Sequence, residues 1–376
     1  MRNRCWHVKI GLILNMANNQ WLIAKALRQL GAEAELVLSA RDFGMAFPHW
    51  EEADIPGMDP YRIDVTELSR YYSLPEWVKL WNPKDLHVRP ENIIDLLYLA
   101  KEYDLLQLSA PSVIYLQFMG KKFIVHEAGW IRNFAFRNGA AEKLARRGND
   151  KAQCVVMTNP DCYALLEKIK YRRAVFIPFI VETDRYRPMR VDRDSVLTFL
   201  HPTRHLWNGK GNDRLLRAFA RFIGQGYNAK LVMINWGTSE DIDQSRRLVE
   251  ELRIEKNVEW LDPVSKPRLI RLYNRSDAIF DQFMVGSYGT TAIEAMACAR
   301  PVVMYLEKYW NAKCYGEVAP VLNAQTDDDI FGAMVALTDE RYRQKVGLDA
   351  RNYVIKHHGP EVVAEKYLQL YREVLE

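Results

Sequence analysis

Two cations six residues apart stand where an apolar segment gives way to a helix. In the run Arg204 to Phe219 (R-H-L-W-N-G-K-G-N-D-R-L-L-R-A-F), a glycine-containing loop follows the apolar segment and an amphipathic stretch begins. Main-chain N–H groups and the positive end of a helix dipole would face an anion there. Arg204 offers a planar fork and Lys210 a point charge, and both suit phosphate. A basic surface loop reads the same way, so the pair alone does not decide.

A second junction of this kind runs from Phe283 to Val303 (F-M-V-G-S-Y-G-T-T-A-I-E-A-M-A-C-A-R-P-V-V). Gly286 and Gly289 would let the main chain come close to a ligand. Thr291 and Glu294 also have the spacing of a capping box, in which the carboxylate only closes its own helix. Two such loops in one half of the chain suit one ligand with a diphosphate and a polar sugar.

Other candidates are weaker. His126 ends an apolar run in V-H-E-A-G-W-I-R, where an isolated histidine is most often structural. Asp241-Ile-Asp243 has the D-x-D spacing used to hold divalent metals on nucleotide sugars, but acidic residues at a helix start also simply favour the dipole. The latter reading is preferred, and no metal site is expected. His201/His205 and His357/His358 lack further ligands for a metal. The chain has no G-x-G-x-x-G after its first strand and no G-x-x-x-x-G-K-[ST]. It has no H-E-x-x-H or G-x-S-x-G either.

The elements that must carry these residues alternate. A buried strand, His7 to Asn15, is followed by a helix, Gln20 to Leu30, the stop at Gly31 and a strand, Ala34 to Leu38. The plan resumes with strand Val196 to Pro202, helix Lys210 to Ile223 and strand Ala229 to Asn235. Strands at Val258 to Leu261, Ala278 to Phe283 and Val302 to Leu306 follow, with helices between them and a helical tail from about 327. Such alternation predicts an α/β fold of two doubly wound, Rossmann-like domains facing a cleft, with ligands at the carboxyl ends of strands. The charged segment Glu182 to Ser195 reads as the linker, giving domains 1–185 and 186–376, with the last helix packing back on the first. Residues 41–92, rich in aromatics and prolines, break the rhythm. They read equally as a functional lid or as an irregular subdomain.

Composition bounds the function. The chain has 376 residues, 48% apolar and 27% charged, which is globular. Its 52 basic and 48 acidic residues leave 52 − 48 = +4, too balanced for a dedicated nucleic-acid binder. The five cysteines are scattered, which favours a reducing, cytoplasmic setting. No apolar run is long enough to span a membrane, and Met1 to Trp6 lacks the form of a signal peptide. Lys143 to Lys151 and Tyr171-Arg172-Arg173 could dock peripherally on the inner membrane face, although a solvated basic helix end is the plainer reading.

The C-terminal half resembles the nucleotide-sugar domain of GT-B glycosyltransferases, specifically retaining glycosyltransferase family 4 and its polysaccharide-type members. Arg204 and Lys210 resemble the family's diphosphate-binding pair. Glu294, in I-E-A-M-A-C-A-R-P-V-V, resembles the second Glu of its E-x7-E motif, which meets the nucleotide ribose. The resemblance implies that Tyr288, Gly289, Thr290 and Thr291 belong to the nucleotide-sugar loop. Residues 177–188 (I-P-F-I-V-E-T-D-R-Y-R-P) resemble the interdomain strand and linker. N-M-A-N-N-Q-W-L-I-A-K-A-L-R-Q-L-G resembles the opening loop and helix, which puts Asn18 and Asn19 near donor or acceptor. His126 resembles the active-site histidine that faces the donor sugar. Two-thirds of the chain is covered, and the match fails over 41–92. There are departures: Gly286 stands where the first Glu of E-x7-E belongs, Ala299 replaces a glycine, and the opening loop is rich in Asn rather than Gly.

The resemblance implies transfer of a sugar, with retention, from a nucleoside diphosphate sugar (UDP- or GDP-linked) to an acceptor hydroxyl of a glycan, a lipid-linked sugar or a small molecule. It implies no metal and no cofactor, the donor being a substrate, and no nucleic-acid partner. The alternatives are a nucleotide-sugar-binding relative that has lost catalysis and a nucleotide-sugar epimerase of the same fold.

Overall fold

A computed structural model of the chain describes residues 8–57, 65–83, 90–134, 137, 139–167, 171–192 and 195–376. Cys5, the basic start, Tyr61 and parts of the 41–92 stretch lie outside the described residues. Two compact units divide the chain. One holds residues up to Ile55, the stretch on to Ile180, and Gly359–Glu376, and the other holds Val181–His358.

The first unit is built on a parallel sheet. Its strands are β1 (Lys9–Ile13), β2 (Glu33–Ser39), β3 (Val78–Trp81), β4 (Leu105–Ser109), β5 (Phe123–Glu127), β6 (Cys154–Met157) and β7 (Ala174–Phe176), in the order β3-β2-β1-β4-β5-β6-β7. The inner strands β4, β5 and β6 are buried throughout, as parallel strands covered on both faces must be. Helices α1 (Asn19–Gln29), α2 (Pro90–Ala100) and α3 (Ala140–Lys151) cover it.

The aromatic stretch after residue 41 is not wholly irregular. It contributes β3, which pairs with β2 from Leu36↔Val78 to Ser39↔Trp81. Four residues long, half-buried and flanked by Pro75 and Pro83, this edge strand has no periodicity to betray it. Just before it, Trp77 stacks on Trp21 of α1 with ring centroids 4.8 Å apart.

The second unit repeats the plan with β8 (Leu197–His201), β9 (Ala229–Ile234), β10 (Val258–Leu261), β11 (Ala278–Phe280), β12 (Val302–Met304) and β13 (Leu322–Asn323), in the order β10-β9-β8-β11-β12-β13. The longer helices are α4 (Asn212–Gly224), α5 (Ser239–Glu251), α6 (Lys266–Arg275), α7 (Thr290–Ala297), α8 (Lys308–Tyr315), α9 (Asp327–Ala336) and α10 (Glu340–His358). Leu215, Leu216, Phe219 and Phe222 of α4 are fully buried against Phe199 and Phe280 of the sheet. Each such aromatic stabilises the fold by roughly 2–3 kcal/mol through burial.

The last helix, α11 (Pro360–Leu375), belongs to the first unit and packs on α1. Tyr371 donates to Oε1 of Gln107 on β4 at 2.6 Å, and Lys122 donates to the carbonyls of Val374 and Leu375 at 2.9 and 2.8 Å.

Candidate functional site

In the second unit the site is built at the carboxyl end of β8. His201 closes that strand, fully buried. Its Nδ1 donates to the carbonyl of Phe280 at 2.8 Å, and its Nε2 accepts from Nδ2 of Asn212, also at 2.8 Å. Burial holds its pKa down at about 4, so the ring stays neutral and can accept. Oδ1 of Asn212 then takes the N–H of Leu206 at 2.8 Å. A histidine and an asparagine with no ligand role thus pin the loop that carries Arg204 and Lys210. Trp207 is fixed as well, its N–H donating to Oδ1 of Asp241 at 3.2 Å.

The helix expected from Lys210 onward is broken. A single turn, Trp207–Lys210, ends at Gly211, and α4 starts afresh at Asn212. Gly211 has φ +70°, and a Cβ there would lie 3.3 Å from Phe283 and Met284. Only glycine fits that conformation cheaply, and the break places Lys210 ahead of the helix. Nζ of Lys210 lies 3.8 Å from Oδ1 of Asp281, whose side chain is 3% exposed. The same oxygen accepts the Thr203 hydroxyl at 2.7 Å. Arg204 is half-buried just beyond β8.

The loop after β11 packs on this one. The N–H of Phe283 donates to the carbonyl of Lys210 at 2.9 Å. Gln282, fully buried, organises the rest. Its Oε1 takes the N–H groups of Met284 and Val285 at 2.9 and 2.6 Å, and its Nε2 donates to the carbonyls of Ser287 and Tyr305 at 3.0 and 2.8 Å. Gly289 is the N-cap of α7, and no side chain caps that helix. Thr290 and Thr291, half-buried, form its first turn.

Several of the candidate side chains are engaged within the unit. Thr291 and Glu294 do not form a capping box, because the helix begins at Thr290 and Thr291 lies inside it. Glu294 instead faces α6, where its Oε1 pairs with Lys266 and its Oε2 accepts the Tyr273 hydroxyl at 3.0 Å. The Tyr288 side chain is buried among aromatics, its hydroxyl 3.1 Å from that of Tyr353 and 3.4 Å from Nε2 of His358. Only its main chain is left for a ligand. Asp241 and Asp243 do not converge. Asp241 accepts from Thr238 and Trp207, whereas Asp243 is exposed. Residues two apart on a helix do not face each other. No metal-type cluster of His, Cys, Asp or Glu occurs among the described residues.

The candidates in the first unit sit after β1 and β5. In the opening loop, Leu14, Ala17 and Asn18 have φ of +63°, +47° and +58°. These left-handed positions are where glycines would relieve strain. The loop is held instead by amides. Asn15 Oδ1 caps α1 by accepting from Gln20 and Trp21 at 3.0 and 3.2 Å, and Asn15 Nδ2 donates to Asn18 Oδ1 at 2.9 Å. Nδ2 of Asn18 donates to the carbonyl of Phe47 at 3.1 Å, and that of Asn19 to Met16 at 2.8 Å. His126 is 2% exposed, and its Nδ1 lies 3.1 Å from the Tyr367 hydroxyl of α11. Its Nε2 is buried with no partner among the described residues. Burial lowers its pKa to about 4.

The structure therefore groups Arg204, Lys210 and the 286–291 loop in one unit, and Asn18, Asn19 and His126 in the other. Spacing gave no sign of Asp281, Gln282, Asn212, Lys266 or Tyr273. Asp281 and Gln282 interrupt the apolar run 278–285, and that oddity is the signal that could have found them, whereas Asn212, Lys266 and Tyr273 carry no such mark.

Residues 193–311 match the family described as glycosyl transferases group 1. Among curated proteins, an uncharacterized glycosyltransferase of Methanocaldococcus jannaschii is 24% identical over 212 residues, 56% of this chain and 50% of that protein. The capsular polysaccharide biosynthesis glycosyltransferase CapM of Staphylococcus aureus is 26% identical over 176 residues, 44% of this chain and 43% of that protein. The D-inositol 3-phosphate glycosyltransferase of Mycolicibacterium smegmatis is 36% identical over 98 residues, 25% of this chain and 21% of that protein. The matches thus span half or less of these relatives. Among solved structures, sucrose-phosphate synthase from Thermosynechococcus elongatus superposes with a TM-score of 0.70 at 17% identity, covering 98% of this chain and 99% of that one. Anabaena HepE in complex with UDP-glucose superposes with a TM-score of 0.74 at 14% identity, covering 98% and 100%. The family match is thus confined to residues 193–311 of the second unit, and the likeness to solved structures shows the GT-B fold.

Proposed function

We propose that this chain transfers a hexosyl group from a UDP-sugar to an acceptor hydroxyl, with retention and without a metal. The observation that carries the reading is Lys210, held before α4 by Gly211, beside Asp281, and joined through its carbonyl to the N–H of Phe283 in the loop that leads to α7. A diphosphate there would meet Lys210, Arg204 and the main-chain N–H groups of Thr290 and Thr291. HepE is described with UDP-glucose, which supports uridine as the base.

Charge develops on the departing diphosphate as the bond from sugar to phosphate oxygen breaks. Lys210 and Arg204 stabilise it electrostatically, so a metal is not needed for neutralisation. The leaving phosphate oxygen takes the acceptor hydroxyl's proton, and the new bond forms on the same face of the sugar. Glu294 binds the ribose, after giving up part of its bond to Tyr273. The family resemblance gives His126, neutral and with its Nε2 unpartnered among the described residues, the role of a donor-sugar contact. The 1–185 half selects the acceptor, a glycan or a lipid-linked sugar.

One surface feature favours an acceptor at a membrane. Phe118, 57% exposed, lies under Lys151 and Arg147 of α3 at 4.7 and 5.8 Å. An exposed aromatic ringed by cations suits an anionic lipid face. Among the described residues, no helix is long and apolar enough to cross a membrane.

The test is a thermal-shift panel of UDP, GDP, ADP, their sugars and NAD, with EDTA present. A ligand at ~100 times its Kd adds about 2.7 kcal/mol of stability. A shift with uridine ligands alone, lost in Lys210→Ala, supports the reading. No shift with any nucleotide overturns it. Nucleotide binding without release of UDP, over a broad acceptor panel, moves the reading to a donor-binding relative that has lost catalysis.

A further inference from the structure

Position 286 cannot hold a carboxylate where the loop now runs. Gly286 has φ +74°, and a Cβ there would come within 3.0 Å of Cε1 of Tyr305 and 3.2 Å of Cβ of Glu307. That space is filled from the neighbouring turn, which follows β12, and one of the two residues filling it is itself a carboxylate.

We propose that Glu307 is a donor-sugar contact, accepting hydroxyl hydrogens of the transferred sugar beside the 286–291 loop. β11 and β12 are adjacent parallel strands, so their carboxyl-end loops lie side by side. The two loops are stitched together at three points. The N–H of Glu307 donates to the carbonyl of Gly286 at 2.8 Å, the N–H of Tyr305 donates to the carbonyl of Gln282 at 2.8 Å, and Nε2 of Gln282 donates to the carbonyl of Tyr305 at 2.8 Å. Glu307 therefore moves with the donor loop rather than independently of it.

The carboxylate also has capacity to spare. Its Oε2 accepts the N–H of Trp310 at 3.1 Å and so caps α8. Among the described residues, no cation pairs with it and its Oε1 has no hydrogen-bond partner. An ionised carboxylate accepts at about four lone-pair sites, so one cap leaves most of them open. A half-buried carboxylate anchored through one oxygen is pre-organised to receive sugar hydroxyls, which are neutral donors and gain most from a charged acceptor.

This inference rests on the transferase reading, and the experiment separates the two. Isothermal titration measures Kd for UDP and GDP and for UDP-glucose, UDP-galactose, UDP-N-acetylglucosamine and GDP-mannose. It is run on the wild-type chain, Glu307→Gln and Glu307→Asp. Gln keeps an oxygen for the Trp310 cap, and Asp is itself a good N-cap whose carboxylate is withdrawn by one methylene. The expected result is that both variants bind the nucleoside diphosphate within about twofold of wild type. They should bind the preferred donor about tenfold or more weakly, the loss of one charge-assisted hydrogen bond. Unchanged donor affinity in both variants overturns the role of Glu307 and leaves the transferase reading intact. Equal weakening of diphosphate and donor also overturns it, since that marks a merely structural residue. Failure of the wild type to bind any nucleotide overturns both.

Discussion

Nζ of Lys210 stands 3.8 Å from Oδ1 of Asp281, a buried carboxylate that also takes the Thr203 hydroxyl. The pair ties the loop after β8 to the end of β11 and aims the lysine without neutralising it fully, since the lysine keeps 28% side-chain exposure. Lys210→Ala should lower kcat by about a hundredfold or more, the usual loss when one group stabilising a developing charge is removed. Far-ultraviolet circular dichroism should be unchanged. Wild-type turnover by this variant would sink the site assignment.

Asp281→Asn keeps the hydrogen bond to Thr203 but loses the ion pair. Lys210 then samples more positions, and the expected result is a lower kcat with little change in melting temperature. Kinetics at saturating donor measure it.

Glu294 and Lys266 form a buried pair, with 5% and 9% side-chain exposure. Lys266→Met alone leaves the carboxylate with only Tyr273, and breaking such a pair costs about 3–5 kcal/mol. Lys266→Met combined with Glu294→Gln removes both charges and should regain most of that loss. Denaturant melts of the two variants check the order.

Gly286→Glu restores the motif residue but not its function. A non-glycine residue at φ +74°, pressed against Tyr305, should destabilise the second unit by about 1–3 kcal/mol. Donor affinity should fall, not rise. A titration showing tighter donor binding would refute this account of the loop.

Burial lowers the pKa of His126 and His201 to about 4, and of His205 to about 3. Each folded-state value lies below the unfolded value of about 6.5, so the unfolded chain binds more protons as pH drops. The stability they contribute is present above pH ~6.5 and is lost as the pH falls through about 4. His201 and His205 share the second unit, where the slope approaches about 2.7 kcal/mol per pH unit below the unfolded value. Melting curves at pH 7.5 and pH 5 should show lower stability at pH 5, and His201→Gln should reduce the difference.

Much of the architecture was legible. Runs such as L-V-M-I at 231–234 and the stripe Leu215, Leu216, Phe219, Phe222 declare strand and helix by period alone. Edge elements were not legible. β3 and β13 are short and half-exposed, so no burial pattern marks them. The break at Gly211 was hidden too, because a helical stripe continues across it and only the contact with Phe283 and Met284 makes the left-handed turn necessary.

By itself the sequence determined the alternation of the two sheets, the strand-to-helix junctions at Arg204 and at Gly289, and the presence of cations at the first. These follow from local period and residue chemistry. Only the tertiary structure decided what each polar side chain faces. Glu294 turned out to be partnered by Lys266 and Tyr273, Tyr288 to be held by Tyr353 and His358, and Glu307 to lie beside Gly286. Those partners are brought together by parallel strand pairing, which joins residues distant in the chain, and no local spacing encodes such meetings.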